Sequence, residues 1–437
     1  MKKGYLFISN GTKPTPEQAT VIKHKVNTFA LAPILAAQKL GYKLYKGYNC
    51  STPENLVDAD YDIVFYDQHC YRSIFSIKDN IIAYKNLCRF LEAHPNIEVI
   101  HCNTPIGGFV GRLCGHKYGI KKIIYTAHGF HFFKGAPLFN RTILKWVEQA
   151  LAHWTDVIIT MNEEDYQAAH KFKLKKGGKV FKVPGVGIIN KDYENLSVDK
   201  KDIRRSLNIP EDAFVGIAMG DIVPRKNYKT AIEAISLVNN PNLHYIICGR
   251  GTQIDELKDM ASRLNIYEQI HFLGFRTDIK ELTSASDFFL FASFQEGLPR
   301  STMEAMACGL PCVVSNIRGN IDLIIEDKGG FLLPSNDVKG FTDSIKKLMA
   351  NPSIGKQMGA YNKEQIKFEF ISEDNKLKEE LHLALDKIQK ERTAISTELS
   401  KVQEKLFQQE AKLGQIDTNV ENLQQRIMDD YELTYLT

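Results

Sequence analysis

The chain has 437 residues, 43% apolar and 10% aromatic, enough for two or three folded domains and too apolar for a disordered chain. Its net charge is only +4, yet residues 1–185 carry 25 Lys and Arg against 14 Asp and Glu, so the first part is basic and the remainder acidic. That asymmetry favours an anionic partner for the basic part: a phosphate-rich substrate, an acidic membrane surface or nucleic acid. Eight scattered cysteines form no C-x-x-C pair and have neither zinc-ligand nor secreted-disulfide spacing, which suggests buried, reduced thiols in a cytosolic protein. No stretch reaches the ~20 apolar residues of a membrane span, so any membrane contact is expected to be peripheral.

In chain order, MKKGYLFISNG reads as a first strand and not as a signal peptide. Apolar runs at Tyr5–Ser9, Ile63–Tyr66, Val99–Cys102, Ile123–Thr126 and Val157–Thr160 read as buried strands separated by amphipathic helices. The run His170–Lys182, HKFKLKKGGKVFK, reads as a solvated surface loop. Val183-Pro184-Gly185-Val186-Gly187 reads as a hinge. The same rhythm returns at Val215–Met219, Tyr245–Cys248, Ile270–Leu273, Phe288–Ala292 and Cys312–Ser315. Alternating strands and helices predict an α/β protein with two doubly wound parallel sheets, whose ligands gather at the carboxyl ends of the strands. From about Glu373 the apolar residues fall at heptad spacing, from Leu381 and Leu385 to Leu423 and Ile427, interrupted at Arg392, Gln409 and Asp430, which predicts a coiled coil.

The densest chemistry lies at Glu296–Gly309, EGLPRSTMEAMACG. A strand feeding Gly297, Leu298 and Pro299 and then a helix leaves the first helical amides unpaired, ready for an anion. Glu296 sits in the turn and Glu304 one turn into the helix. A purely structural reading is a capping box, Ser301 to Glu304, in which the carboxylate only folds back on a backbone amide. Upstream, Gly220-Asp221-Ile222-Val223-Pro224-Arg225-Lys226 also follows a strand, with two cations able to reach a diphosphate. Leu273-Gly274-Phe275-Arg276 ends another strand. Tyr125-Thr126-Ala127-His128-Gly129-Phe130-His131 carries a histidine past a buried strand; His128-x-x-His131 without further ligands makes no metal pair. The glycines of Asn103-Thr104-Pro105-Ile106-Gly107-Gly108 do not have the spacing of a dinucleotide fingerprint.

Together these stretches resemble family 4 glycosyltransferases, retaining enzymes of the GT-B fold, over roughly the first four fifths of the chain. The resemblance implies an acceptor-binding Rossmann-like domain at 1–185, a nucleotide-sugar domain at 186–372 and an interdomain cleft. The tail, 373–437, departs from the family. Its end, RIMDDYELTYLT, resembles the coiled-coil arm of chromosome-maintenance ATPases, without their nucleotide-binding motifs, and it reads as an oligomerisation or partner helix or an appended segment. By resemblance Gly220, Arg225 and Lys226 hold the donor diphosphate, Phe275 and Arg276 flank the base, Glu296 with Gly297, Leu298 and Pro299 holds the transferred sugar, Glu304 binds the ribose, and His128 lines the cleft. Glu296, His128, Lys226 and Arg225 are the catalytic candidates. Many relatives have arginine after the glycine, where this chain has Asp221. The loop Ser9–Thr28 and the segment from Asn103 to Arg112 border the acceptor.

The implied activity is transfer of a hexosyl-type sugar from a UDP-sugar to a polyprenyl-diphosphate-linked saccharide in bacterial capsule or exopolysaccharide synthesis. It would take place at the inner membrane face, with no metal or cofactor and no nucleic acid. A GT-B epimerase or phosphorylase, or a scaffold acting through its coiled coil, are the alternatives.

Overall fold

A computed structural model describes residues 2–11, 13, 23–50, 52–71, 73–185, 187–188, 193 and 198–431. The chain divides into two compact units, Met1–Glu369 and Phe370–Thr437. The first unit holds two parallel sheets. The first lobe is built on β1 (Gly4–Ile8), β2 (Lys23–His24), β3 (Lys43–Tyr48), β4 (Val57–Asp58), β5 (Ile63–Asp67), β6 (Ile97–Asn103), β7 (Lys122–Ala127), β8 (Val157–Thr160) and β9 (Lys179–Lys182). Its main sheet runs β5-β3-β1-β6-β7-β8-β9, while β2 and β4 pair separately. The second lobe carries β10 (Phe214–Met219), β11 (Leu243–Cys248), β12 (Ile270–Gly274), β13 (Phe288–Phe291), β14 (Cys312–Ser315) and β15 (Gly330–Leu333), in the order β12-β11-β10-β13-β14-β15.

In the first lobe, α1 (Thr28–Lys39) covers one face of the sheet; α2 (Ile77–Ala93), α3 (Pro105–Lys117) and α4 (Lys145–Ala152) lie over the core on the other, and α5 (Glu163–His170) follows β8. The second lobe has α6 (Lys200–Ser206), α7 (Tyr228–Val238), α8 (Ile254–Arg263), α9 (Ile279–Ala285), α10 (Arg300–Ala307) and α11 (Val338–Ala350). Both sheets are buried by helices, which explains why most strands read as continuous apolar runs.

Three strands of the main sheets escape that signal for physical reasons. In β3, KLYKGY, Lys46 is buried and its Nζ lies 3.3 Å from His24 Nε2, while His24 Nδ1 lies 2.7 Å from Asp58 Oδ2. A polar network thus satisfies a lysine that the sequence pattern would place outside. The edge strand β9 arises within the basic run expected to be a surface loop, and its lysines are the kind of side chains that discourage edge pairing. The second lobe's edge strand β15, GFLL, opens directly on Gly329-Gly330, a pair that reads as a turn.

The α3 glycines serve packing. A Cβ at Gly108 would lie 2.4 Å from the Tyr125 ring, and one at Gly111 2.4 Å from Cys102 Sγ, so only glycine lets the helix sit this close to the sheet. Arg112, expected to border the acceptor, is instead fully buried. Its Nη2 donates to Glu148 Oε2 at 2.7 Å, and its guanidinium lies 3.8 Å from the Tyr125 ring centroid. All eight cysteines are free and seven are buried.

The last helix, α12, runs from Pro352 to Tyr431 without a break, well upstream of the start expected near Glu373. Its first turns are integral to the second lobe. Asn362, fully buried, donates from Nδ2 to Leu310 O at 2.8 Å and to Gly329 O at 2.6 Å. A Cβ at Gly359 would sit 1.8 Å from Gly309 O, so helix and loop meet backbone to backbone. No helix among the described residues is long and apolar enough to cross a membrane.

Candidate functional site

Each sheet has one point where neighbouring strands diverge in sequence order, between β1 and β6 in the first lobe and between β10 and β13 in the second. Such points open a crevice at the carboxyl ends of the strands, where ligands settle in open α/β sheets.

In the second lobe, Gly220 follows β10 and Ser293–Glu296 follow β13. The 3-10 turn Pro224–Lys226 swings two cations toward the crevice, and Asn227 ends it with φ 52°, a left-handed conformation that asparagine tolerates. The Asn227 Nδ2 donates to Ala292 O at 3.0 Å and to Ser335 O at 2.8 Å, pinning the turn to the ends of β13 and β15. Lys226 Nζ then meets Glu296 Oε1 at 2.7 Å, with both side chains at least nine-tenths buried. Ser293 Oγ donates to the same oxygen at 2.7 Å, and Arg225 Nη1 stands 3.9 Å away. Burial lowers the Lys226 pKa and the Glu296 carboxylate partly restores it. Arg225 is half exposed, and its Nη1 also donates to Gln295 O at 3.5 Å. A Cβ on Gly220 would make only ordinary contact with Lys226 Nζ at 3.7 Å; what favours glycine here is its φ of +146°.

The other expected donor residues sit on α10 and after the end of β12. The glutamate at position 304 does not close a capping box: α10 begins at Arg300 with Pro299 as its cap, so Ser301 is already helical. Glu304 Oε1 instead accepts from Arg300 Nε at 2.9 Å; burial raises its pKa, and Arg300 opposes the rise. At the end of β12, Phe275 is exposed, with the Arg250 guanidinium 5.5 Å from its ring centroid. Arg276 is held by Asp278, Nε to Oδ1 at 2.8 Å.

The first-lobe crevice lies by Asn10 after β1, Asn103 at the end of β6 with Thr104 after it, and His128 after β7. Thr104 has φ 67°, rare for a β-branched residue, and its Oγ1 accepts from Asn10 N at 2.8 Å. Among the described residues the buried Asn10 Oδ1, Asn103 Oδ1 and His128 Nε2 have no hydrogen-bond partner. Unsatisfied buried polar atoms are costly, and clustered at a crevice they suit a polar ligand. Burial brings the His128 pKa to about 4, so the ring is neutral at pH 7. Much of the loop Ser9–Thr28 lies outside the described residues, as do Val186 of the expected hinge and residues 432–437 of the tail.

Sequence reasoning did not single out the junction between the lobes. Arg318 Nη1 meets Asp165 Oδ1 at 2.6 Å, its Nη2 donates to Phe130 O at 2.5 Å, and its Nε donates to Glu296 O at 3.1 Å. Asp165 Oδ2 accepts from Phe130 N at 3.1 Å and from Asn162 Nδ2 at 2.8 Å. Asn162 Nδ2 also donates to Gly297 O at 3.0 Å. A Cβ at Gly297 would stand 1.6 Å from His128 O, so the Glu296 turn and the histidine segment touch through bare backbone. The sequence signal was the stretch Ile317-Arg318-Gly319-Asn320, which continues the family resemblance past the strand Cys312–Ser315 without giving Arg318 a role.

Two doubly wound lobes with facing crevices define a protein of GT-B architecture. Residues 199–365 match the family Glycosyl transferases group 1, and residues 47–184 match Glycosyltransferase Family 4. EpsD of Bacillus subtilis, which carries the name of a glycosyltransferase, is 30% identical over 328 residues, 74% of this chain and 84% of its own length. The chain therefore belongs to the glycosyltransferases of this family. It is also 30% identical to the Escherichia coli UDP-Gal:alpha-D-GlcNAc-diphosphoundecaprenol alpha-1,3-galactosyltransferase, over 57% of this chain and 65% of that protein. HepE of Anabaena in complex with UDP-glucose shares the fold, with TM-score 0.67 and 18% identity over 87% of this chain and 99% of that one.

Proposed function

We propose that the protein transfers a hexosyl-type sugar from a UDP-sugar to a polyprenyl-diphosphate-linked saccharide, with retention at the anomeric carbon, in the assembly of a capsule or exopolysaccharide. The observation that carries the reading is the buried Lys226–Glu296 contact at the second-lobe switch point, beside the half-exposed Arg225. The two relatives support the substrate class, since one is named for a UDP-galactose donor and a diphosphoundecaprenol-linked acceptor.

In this reading the bond between the anomeric carbon and the β-phosphate oxygen breaks, and its electron pair leaves with the phosphate. Arg225, Lys226 and the amides at the start of α10 stabilise that charge. The acceptor oxygen bonds the anomeric carbon on the same face, and its proton passes to the departing phosphate oxygen, so no metal or cofactor is required. Glu296 holds the transferred sugar, Glu304 the ribose, and Phe275 and Arg276 flank the base. Neutral His128 offers Nε2 to a sugar hydroxyl. The lipid-linked acceptor places the reaction at the cytoplasmic face of the inner membrane.

The test is mass detection of product from a panel of nucleotide-sugars with a polyprenyl-diphosphate-linked acceptor, and anomeric assignment by NMR. Lys226→Ala and Glu296→Gln should each lower turnover at least a hundredfold, by the scale of lost charge stabilisation of roughly 3 kcal/mol, with the fold intact. Unchanged rates, or an inverted product, would reject the assignment.

A further inference from the structure

The match to Glycosyl transferases group 1 ends at residue 365, and α12 continues past it to Tyr431 as one unbroken helix. Its last turns carry an apolar seam. One row, position a of a heptad, runs from Leu399 through Leu413 to Ile427; the other, position d, runs from Val402 through Ile416 to Leu423. Every apolar residue in the two rows is at least 47% exposed. A folded chain rarely leaves such a stripe in water unless another helix covers it. Between Leu399 and Ile427 only Gln409, at position d, interrupts the seam.

The side chains flanking the seam identify the partner. Positions g hold Lys405 and Lys412, and positions e hold Glu410 and Asp417, all exposed. Two such helices laid parallel and in register bring position g of one heptad against position e of the next heptad on the other copy. Lys405 then faces Glu410, and Lys412 faces Asp417, on both sides of the seam. The neighbouring heptads, which set Glu398 against Gln403 and Asn419 against Gln424, bring no like charges together. An antiparallel arrangement sets g against g and e against e. Full overlap of the seam then puts Lys412 against Lys412 and Glu410 against Glu410; a shift by one heptad puts Lys405 against Arg426 and Glu410 against Asp417. Those like charges repel. Gln409 favours the same orientation. In the parallel arrangement its amide meets the same amide of the other copy, and each can donate and accept; in the antiparallel one it meets Leu413 or Val420. A single polar residue in such a seam fixes its register.

We infer that the carboxy-terminal helix of this chain binds the same helix of another copy, parallel and in register, along the seam from Leu399 to Ile427. The parallel arrangement gathers the Met1–Glu369 units of the copies at one end of the coiled coil. The contact does not rest on the function proposed above.

Two measurements on the full chain test orientation and partner. Ile427→Cys sets two thiols opposite each other only when the copies lie parallel and in register. With oxidised glutathione this variant should form a covalent dimer on a non-reducing gel, whereas the wild-type chain, with seven of its eight cysteines buried, should not. Analytical ultracentrifugation should find the wild-type chain associated. Lys405→Glu with Lys412→Glu should raise its dissociation constant about tenfold or more, since the facing pairs are lost and like charges replace them. Adding Glu410→Lys and Asp417→Lys to that variant makes the facing charges opposite again and should restore the wild-type constant. An antiparallel contact would not be weakened by the first double substitution. The inference is overturned by a monomeric wild-type chain, by Ile427→Cys crosslinking no further than wild type, or by a lysine reversal that leaves association unchanged. It is equally overturned if the four-residue variant stays as weak as the double one, because the charges would then not face each other.

Discussion

Buried imidazoles set the response of the first lobe to acid. His101 is packed in the core, its Nδ1 2.7 Å from the Tyr5 hydroxyl and its Nε2 2.7 Å from Thr126 Oγ1. Burial brings its pKa to about 3, and that of His128 to about 4, from an ordinary 6.5. The folded state therefore refuses protons that the unfolded chain accepts. This contribution to stability is complete above about pH 6.5 and is lost as pH falls toward those folded values, at roughly 1 kcal/mol per imidazole per pH unit. The expected result is a melting temperature that drops between pH 7 and 5, with a shallower drop in His101→Gln. Asp165 and Glu304, whose pKa values burial raises, act in the opposite sense, so the comparison with the variant is what isolates the imidazole. An identical slope in the two proteins would show that His101 is not held neutral. Neither ring announced itself by spacing: His128 was legible through the motif around it, whereas His101 lies inside the strand β6 and only the tertiary fold buries it.

Between elements, the decisive contact is Arg318. It joins the loop after β14 to α5, to the histidine segment after β7 and to the Glu296 carbonyl, while Gly297 and His128 meet with no side chain between them. A fully buried ion pair owes its standing to its hydrogen bonds, and every polar side-chain atom of Asp165 and Arg318 has a partner. Arg318→Met should destabilise the protein by about 3–5 kcal/mol, because it leaves Asp165 buried and uncompensated. Adding Asp165→Asn should recover part of that loss. Urea unfolding measures both effects. A cost below about 1 kcal/mol for the single substitution would show that the ion pair does not brace the lobes. The residues of this junction are 153 positions apart, so no local pattern could pair them. The strands and helices that carry them were largely legible, since burial on both faces leaves long apolar runs. The strands missed were those in which a buried lysine, an exposed edge or an opening glycine pair breaks the run.

For the whole molecule, the second unit poses a separate question. The heptad residues Leu399, Val402, Leu406, Leu413, Ile416, Val420, Leu423 and Ile427 are exposed on the single chain. Such a seam is stabilised when another helix covers it. We expect the full chain to self-associate in light scattering, and a chain ended before Thr393 to be monomeric with its turnover retained. A monomeric full chain would leave the seam for a different partner helix. Sequence alone determined the class of fold, the family and the turns that follow the second-lobe strands, because strand burial, glycine turns and helix starts are local features written in short segments. Tertiary structure decided what the residues touch: that Lys226 and Glu296 share one buried contact, that Arg112 belongs to the core, and that Arg318 binds the lobes together. Those outcomes depend on which distant loops converge at the ends of two sheets, and convergence in space has no period along the chain.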